Sequence, residues 1–575
     1  MTRRDRKGFA LEQFTGRLRV VLVLFVLGAV GLAARAVDLQ VLDDGFLEGQ
    51  GDARYTRIAK LSAHRGSILD RHGEPLAVST PVDTVWANPR ELTQAADELP
   101  KLAEALNRDL QWLTRRVTSN LDREFVYLVR HMRPSDAAQV EALGIPGVYL
   151  LREYRRYYPA GEVTGHVIGF TSVDDVGQEG LELAFDHSLG GEPGAKRVIQ
   201  DRLGRTVEDI ESIRAPRPGA DLIASMDLRI QYLAYRELKA AIQKHNAKSG
   251  SLVMIDVETG EVLAMVNQPA FNPNDREQLK AARYRNRAAT DIFEPGSSIK
   301  PFVVAAGLAT GRYSSDSIID TAPGMMRVGI KTIQDKHNLG AIPLTTVIAK
   351  SSNVAMAKLA LTLEPQMMWN TLDALGFGKV TGSGFPGESA GLLNHYSQWR
   401  PIGQATMSYG YGLSVTPLQL AQAYAVLASG GLRRPLTMRR IEPPVTGERV
   451  LDRDVARDLV AMMEHVVSGG GTGSRAALLG YRVAGKTGTA WKASGGGYST
   501  DKYLAVFGGV VPASRPRLAA VVIIDEPGGR QYYGGDVAAP VFADVMAGAL
   551  RLMGIAPDGL DAVPEATLVQ THAGE

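Results

Sequence analysis

The pattern of apolar and polar positions divides this chain before any other property is considered. Residues 20–34 (VVLVLFVLGAVGLAA) are uncharged and almost wholly apolar, and predict one helix that is apolar on every side. A membrane span takes roughly 20 residues. Leu18, Ala36 and Val37 lengthen this one, and the long side chains of Arg19 and Arg35 can reach outward from its ends. Residues 38–60 are polar. From there to 220, short strand-like runs alternate with Gly and Pro breaks, and 216–220 (PRPGA) reads as a joint.

Beyond the joint the periods are cleaner. Residues 228–245 place Ile230, Leu233, Ala234, Leu238, Ala241 and Ile242 at helical spacing. The apolar runs 251–257 and 261–266, split by Glu258-Thr259-Gly260, predict a β-hairpin. A mostly helical stretch covers 300–467, and strand signals return at 481–490, 503–511 and 518–525. Residues 540–553 close the region as an amphipathic helix, with Pro540 suited to its first turn. One sheet is thus expected from the two ends of this region. A helical block is inserted between them, and the terminal helix is available to cover one face. The last residues, 556–575, read as a polar tail.

Composition adds limits. At 575 residues the chain exceeds one ordinary domain. A net charge of +2 gives no strongly basic surface for nucleic acid. The lack of cysteine excludes disulfides, thiolate metal sites and cysteine nucleophiles. The ten histidines show no metal-ligand spacing, so His64, His337 and His395 read as surface or structural residues, and no metal or cofactor is expected. Charge does change the reading of the N-terminus. Arg3, Arg4, Arg6, Lys7, Arg17 and Arg19 precede the apolar helix, so the positive-inside rule leaves them in the cytoplasm and exports the rest. The competing readings are a buried core helix and a cleaved signal peptide, with Ala34-Arg35-Ala36 as its cleavage site.

Three short motifs carry chemistry. Ser297 follows the chain-breaking Pro295-Gly296 and opens a helical run, with Lys300 over the same face. A serine hydroxyl needs a base to become a nucleophile. Lysine serves as that base only if burial or another cation lowers its pKa. Alone, Ser-x-x-Lys also occurs on solvated helices. Lys350-Ser351-Ser352-Asn353 offers a hydroxyl and an amide that could face one cleft; in isolation a helix cap is the simpler explanation. Lys486-Thr487-Gly488-Thr489 lies in a strand-like run with both threonines on one face. Its lysine can meet a carboxylate, and its glycine can let a substrate backbone approach. An exposed edge strand with an incidental lysine is the plain alternative. Residues 480–487 also fit the P-loop pattern G-x-x-x-x-G-K-[ST]. A P-loop needs a strand before it and a helix after it. Here Tyr481 and Val483 sit inside the supposed loop, and 493–497 (ASGGG) continue a helix poorly.

Taken in this order, the three motifs resemble the S-x-x-K, S-x-N and K-T-G set of the penicillin-binding protein and serine β-lactamase superfamily. The resemblance spans nearly the whole chain. Arg65-Gly66-Ser67-Ile68-Leu69-Asp70-Arg71-His72-Gly73 is similar to the R-G-x-x-x-D-R-x-G motif of the class B pedestal domain. Residues 155–159 (RRYYP), Gly180-Leu181-Glu182 and 201–205 (DRLGR) resemble further pedestal motifs. Tyr409-Gly410-Tyr411-Gly412-Leu413-Ser414 with Thr416-Pro417 resembles a stretch of the class B transpeptidase domain. No candidate glycosyltransferase domain precedes it, which disfavours class A. Within class B the likeness is to the division-specific penicillin-binding protein 3 group rather than the elongation-specific type.

The resemblance implies an α+β multidomain fold. Its parts are a basic segment (1–19), a transmembrane anchor (20–37), a mixed α/β pedestal (38–220), a transpeptidase domain (221–555) and the tail (556–575). The transpeptidase domain would hold a five-stranded antiparallel sheet flanked by helices, plus an all-helical subdomain. Ser297 would be acylated by a stem pentapeptide at the penultimate D-Ala, with Lys300 as general base. Ser351 would relay the proton and Asn353 would orient Lys300 and the substrate amide. Lys486, Thr487 and Thr489 would hold the terminal carboxylate beside Gly488. The N–H groups of Ser297 and Thr489 would form the oxyanion hole. Tyr409, Tyr503, Tyr532 and Tyr533 are candidates for an aromatic wall. Expected partners are stem peptides of lipid II-derived strands, β-lactams, and a SEDS-type glycosyltransferase among division membrane proteins. A serine β-lactamase or penicillin sensor, and a catalytically weak division scaffold, are the alternatives. Against the former, Glu388 precedes Asn394 by six residues, where the class A pattern wants four.

Overall fold

A computed structural model describes residues 5–38, 56–61, 63–200, 206–442, 445–494 and 497–559. The DRLGR segment, most of the polar stretch 38–60 and most of the tail lie outside these residues. Asp5–Val37 forms one helix (α1), and its part Gly16–Val37 is long and apolar enough to cross a membrane. That part is exposed on all sides. A helix apolar all round is at home only in apolar surroundings.

The chain folds into two compact units, each discontinuous in sequence. The first includes α1, Pro81–Tyr154 and Glu192–Arg217. It contains an antiparallel sheet of Thr56–Leu61, Gly194–Gln200 and Thr206–Arg214. It also holds a small core around Val85, Leu92, Leu102, Leu113, Leu128 and Val140.

The second unit takes His64–Thr80, Arg155–Gly191 and the chain from Pro218 onward. In chain order its main elements begin with helix Leu228–Lys244 (α2) and the hairpin Ser249–Asp256 (β1) and Val262–Gln268 (β2). Helix Lys300–Leu308 (α3) precedes a small hairpin of Met325–Val328 (β3) and Lys331–Gln334 (β4). Helices Asn353–Leu361 (α4), Pro417–Ala428 (α5) and Arg453–Val467 (α6) follow. Ala484–Ser494 (β5), Gly497–Val511 (β6), Leu518–Asp525 (β7) and helix Gly534–Leu552 (α7) complete it. The sheet runs β2-β1-β7-β6-β5, antiparallel throughout, so both ends of the region build it as expected.

Every residue of β1 and β2 is buried, because helices cover both faces of the sheet. One core packs α2 and α7 on one face; the other packs α3, α4, α5 and α6 on the opposite face. That is why these strands read as unbroken apolar runs rather than alternations. α2 starts where Asp227 accepts from the Arg229 N–H (3.0 Å), and it buries Ile230, Ala234, Leu238 and Ala241 along one stripe.

Two boundaries depart from the sequence reading. β6 begins at Gly497, ahead of the apolar run at 503, because its first residues pair with the far end of β5 past a bulge between Trp491 and Ala493. α7 begins at Gly534, which leaves Pro540 inside the helix instead of in its first turn. A Cβ at Gly534 would lie 2.3 Å from the carbonyl oxygens of Gly488 and Val506, and one at Gly535 would lie 2.2 Å from Thr472 O. Two glycines thus let the first turn rest directly on the sheet. Burial of Val537, Phe542, Val545 and Met546 outweighs the one hydrogen bond that Pro540 cannot donate.

The pedestal-type motifs at 65–73, 155–159 and 180–182 fall in this second unit. Arg65 Nε donates to Glu182 Oε2 (2.8 Å) and its Nη1 to Asp186 (2.7 Å), while Arg156 Nε donates to Glu182 Oε1 (2.6 Å). Asp70 accepts from the N–H groups of His72, Glu74 and Leu228, tying the motif to the start of α2.

Candidate active site

The first motif forms a single tight turn, Gly296–Ile299, that runs directly into α3. Gly296 has φ +52°, and its N–H donates to Gly410 O at 3.1 Å. A Cβ on Gly410 would sit 2.0 Å from Gly296 O, so the Tyr-Gly-Tyr-Gly segment must carry glycine there. From behind, Ser298 Oγ donates to Pro295 O (2.6 Å) and the buried Tyr424 hydroxyl donates to Ser298 O (2.9 Å). All nine residues of α3 are buried, Lys300 among them.

The second motif resolves the cap question in favour of both readings. Ser352 is the N-cap of α4, accepting from Ala355 N–H at 3.0 Å. Asp335, at the end of the β3–β4 hairpin, accepts from Ser352 Oγ (2.5 Å) and from the N–H groups of Asn353 (2.5 Å) and Val354 (3.1 Å). The preceding Ser351 adopts the left-handed conformation, φ +62°. With Ser352 and Asp335 doing the capping, the side chains of Ser351 and Asn353 turn to Lys300.

The third motif lies on β5, the edge strand of the sheet. Thr487 and Thr489 line a cleft of about 510 Å³ together with Ser297, Ser351 and Asn353. Thr487 Oγ1 bonds Thr472 Oγ1 (2.7 Å), and Thr489 Oγ1 accepts from Gly534 N–H (3.1 Å). Gly488 serves a different end from the one its sequence suggests. A Cβ there would lie 3.0 Å from Pro295 O and 3.3 Å from Ser298 Cβ, so the glycine makes room for the Ser297 turn.

Two fully buried lysines meet at one hydroxyl. Lys300 Nζ donates to Ser351 O (2.6 Å), Ser351 Oγ (3.1 Å) and Asn353 Oδ1 (2.8 Å). Lys486 Nζ donates to the same Ser351 Oγ (2.9 Å) and to Thr487 O (3.0 Å). Burial pushes Lys300 well below the ordinary lysine range; the Lys486 charge adds to this and Asp335 opposes it. Burial alone brings Lys486 down to about 7. Ser297 is half-buried at the cleft wall, and among the described residues no hydrogen bond joins its hydroxyl to Lys300. Thr489 O lies 3.3 Å from the Cβ position of Gly296. Because N–H and C=O of one strand residue point to the same side, the Thr489 N–H also faces the Ser297 turn.

Of the four tyrosines only Tyr533 lines this cleft. Tyr532 stacks on Tyr503 (4.2 Å) and lies tilted against Tyr533 (4.4 Å), so Tyr503 and Tyr532 back the wall instead of forming it. Tyr409 packs against Tyr411 and the small apolar cluster of Val328, Ile333, Ala357 and Ala405. Asp335, Lys336, His337 and Thr472 also line the cleft, although sequence reasoning passed over three of them and read His337 as surface or structural. The polar run Asp335-Lys336-His337 is their one local sign. The P-loop alternative fails: after Lys486-Thr487 the chain continues as β5 to Ser494, where a P-loop would begin a helix.

A half-buried serine thus shares a cleft with a second serine that receives two buried lysines, neither ion-paired among the described residues, and such an arrangement suits a serine acyl-enzyme site of the penicillin-recognising kind. The sequence profile of the penicillin binding protein transpeptidase domain matches residues 250–547, and that of the penicillin-binding protein dimerisation domain matches 60–224. Peptidoglycan D,D-transpeptidase FtsI of Escherichia coli K12 is 46% identical, over 92% of this chain and 90% of its own. The probable peptidoglycan D,D-transpeptidase PbpC of Pseudomonas aeruginosa is 43% identical, over 97% and 98%. The solved transpeptidase domain of penicillin-binding protein 3 from Burkholderia pseudomallei is 42% identical with a TM-score of 0.54, covering 58% of this chain and 97% of that one. A peptidoglycan synthetase from Bifidobacterium adolescentis shares the fold at 24% identity (TM-score 0.71, 88% of this chain and 98% of that one). The chain belongs to the class B penicillin-binding proteins, with a dimerisation domain and a transpeptidase domain.

Proposed function

We propose that this peptidoglycan D,D-transpeptidase works in septal wall synthesis through an acyl-enzyme on Ser297. The observation that carries the reading is the Ser351 hydroxyl, within 3.1 Å of one buried lysine and 2.9 Å of the other. A neutral Lys300 takes the Ser297 proton as Oγ attacks the penultimate D-Ala carbonyl of a stem pentapeptide. The N–H groups of Ser297 and Thr489 hold the oxyanion, each worth about 3 kcal/mol. Collapse breaks the amide bond, and Ser351 passes the proton from Lys300 to the departing D-Ala amine. An amine of a second stem peptide then attacks the acyl carbon. Its proton returns by the same route and Ser297 Oγ leaves reprotonated. Charged Lys486, with Thr487 and Thr489, holds the terminal carboxylate. β-Lactams enter as substrate mimics and leave Ser297 acylated.

Glu388 gives no support to a β-lactamase reading. Its two oxygens are taken by Thr381 N–H (2.6 Å) and Ser383 Oγ (2.7 Å), and it does not line the cleft. The pedestal (38–220) and the anchor, with its N-terminus in the cytoplasm of a single-pass inner-membrane topology, dock a SEDS-type glycosyltransferase and other division proteins. Fluorescent penicillin tests the site. It labels the wild-type chain covalently and leaves Ser297→Ala unlabelled; labelling of the variant would move the nucleophile elsewhere.

A further inference from the structure

We propose that a second cavity of the larger unit, sharing no residue with the Ser297 cleft, binds a small multivalent phosphate anion. The cavity measures about 670 Å³, within the range of roughly 300–1,000 Å³ usual for small-molecule sites. It lies between the end of α5, the outer side of α6 and the β6–β7 turn. Five arginines line it (Arg434, Arg453, Arg457, Arg482 and Arg515) against two carboxylates, Glu258 and Glu464.

The carboxylates are already committed. Glu464 takes Arg482 through Nε and Nη2, each at 2.8 Å, and Glu258 faces Arg517 at 3.3 Å. Arg457 pairs with Asp454 (2.9 Å) and Asp458 (3.5 Å). Arg434, Arg453 and Arg515 have no carboxylate partner among the described residues. Arg434 Nη1 donates to Val257 O (3.2 Å), while its Nε is buried without any acceptor. A plain explanation would have these arginines serve the carbonyl end of α5. Arg449 already does so, donating to Gly430 O at 2.8 Å. Three uncompensated guanidinium groups around one concavity repel one another, and an anion removes that repulsion. The planar guanidinium fork matches paired phosphate oxygens better than it matches a spherical ion. Three positive charges suit a diphosphate more than a monoanion.

Calorimetric titration of the full-length protein in detergent with inorganic pyrophosphate tests this. Saturable one-to-one binding, weakened by salt, is expected. The Arg453→Gln/Arg515→Gln variant should bind roughly tenfold or more weakly. Neither residue is ion-paired among the described residues and their removal relieves like-charge repulsion, so its melting temperature without ligand should equal or exceed that of wild type, and its acylation by fluorescent penicillin should match wild type. If that variant fails to fold, Arg453→Lys/Arg515→Lys keeps the charge, loses the fork, and should still bind more weakly than wild type. Displacement of pyrophosphate by short-chain phosphatidic acid, whose phosphomonoester is multivalent, would support a lipid headgroup as the source of the anion. Displacement by soluble phosphate esters alone would support a free phosphate. No saturable binding, undiminished binding by a folded variant, or equal displacement by chloride at matched ionic strength would overturn the proposal.

Discussion

The second unit buries two arginines and two lysines almost completely, and their partners differ in kind. Arg65 and Arg156 clasp Glu182 between them, with Asp186 on the outer nitrogen of Arg65. Among the described residues, Lys300 and Lys486 donate hydrogen bonds only to a serine, an asparagine and backbone carbonyls. The carboxylates hold Arg65 above even its ordinary range despite burial, whereas burial without a counterion draws both lysines down. A buried cation with a carboxylate is thus a fixed charge that ties segments together. One without a carboxylate is pushed toward its neutral, basic form, to about 7 in the case of Lys486. The first arrangement serves the joint between motifs at 65, 156 and 182; the second suits the proposed chemistry.

The largest effect should follow from removing the proposed nucleophile. Ser297→Ala is expected to abolish covalent labelling with no loss of fold, read as a mass shift on incubation with penicillin. Next, Lys300→Met should fill the same buried space and lower the acylation rate by about 10²–10⁴-fold, measured by stopped-flow with a fluorescent penicillin. The wild-type rate should rise with pH as Lys300 loses its proton. It should fall again above about 7 as Lys486 loses the charge proposed to hold the carboxylate. A rate indifferent to Lys300, or flat across this window, would erase the chemical half of the comparison.

The arginine cluster predicts the opposite pattern. Glu182→Gln leaves two buried guanidinium groups without their shared counterion and should cost about 3–5 kcal/mol, measured by urea denaturation. The fraction that remains folded should still label with penicillin at a wild-type rate. If stability were unchanged, the cluster would be no more than incidental packing.

Much of this was legible in the sequence, and the gaps have physical causes. Strands buried on both faces announce themselves as unbroken apolar runs, so the sheet and the inserted helical block could be read directly. Lys300 and Lys486 could be named because their motifs are local. Asp335 could not, since its partners lie 17 to 19 residues on and meet it only after β3 and β4 fold back. Ser351 was undecided for a similar reason: the cap, Ser352, and the side chain that meets both lysines are neighbours, and only backbone conformation separates them. Pro540 misled because a local rule about helix starts lost to two glycines packed on the sheet. Tyr409 misled because an aromatic next to a functional motif can as easily join a core.

The smallest effect gives the finest discrimination. Lysine titrates near 10.4 when unfolded, against about 7 for Lys486 in the native chain. Between these values the unfolded state holds a proton that the native state has released, so this group's contribution to stability rises with pH across that window. Below about 7 both states are protonated, and the native state bears the whole cost of burying the charge. Lys486→Met removes that cost but also the bonds to Ser351 and Thr487. The net expectation is a gain of about 1–2 kcal/mol at pH 6, shrinking to nothing or reversing by pH 10. Arg65→Met should instead lose stability at both pH values, because the charge it removes was compensated. Urea melts of both variants at pH 6 and pH 10 read the difference. A Lys486→Met variant that is destabilised equally at both would show that its amine is as well served by neutral acceptors as Arg65 is by Glu182.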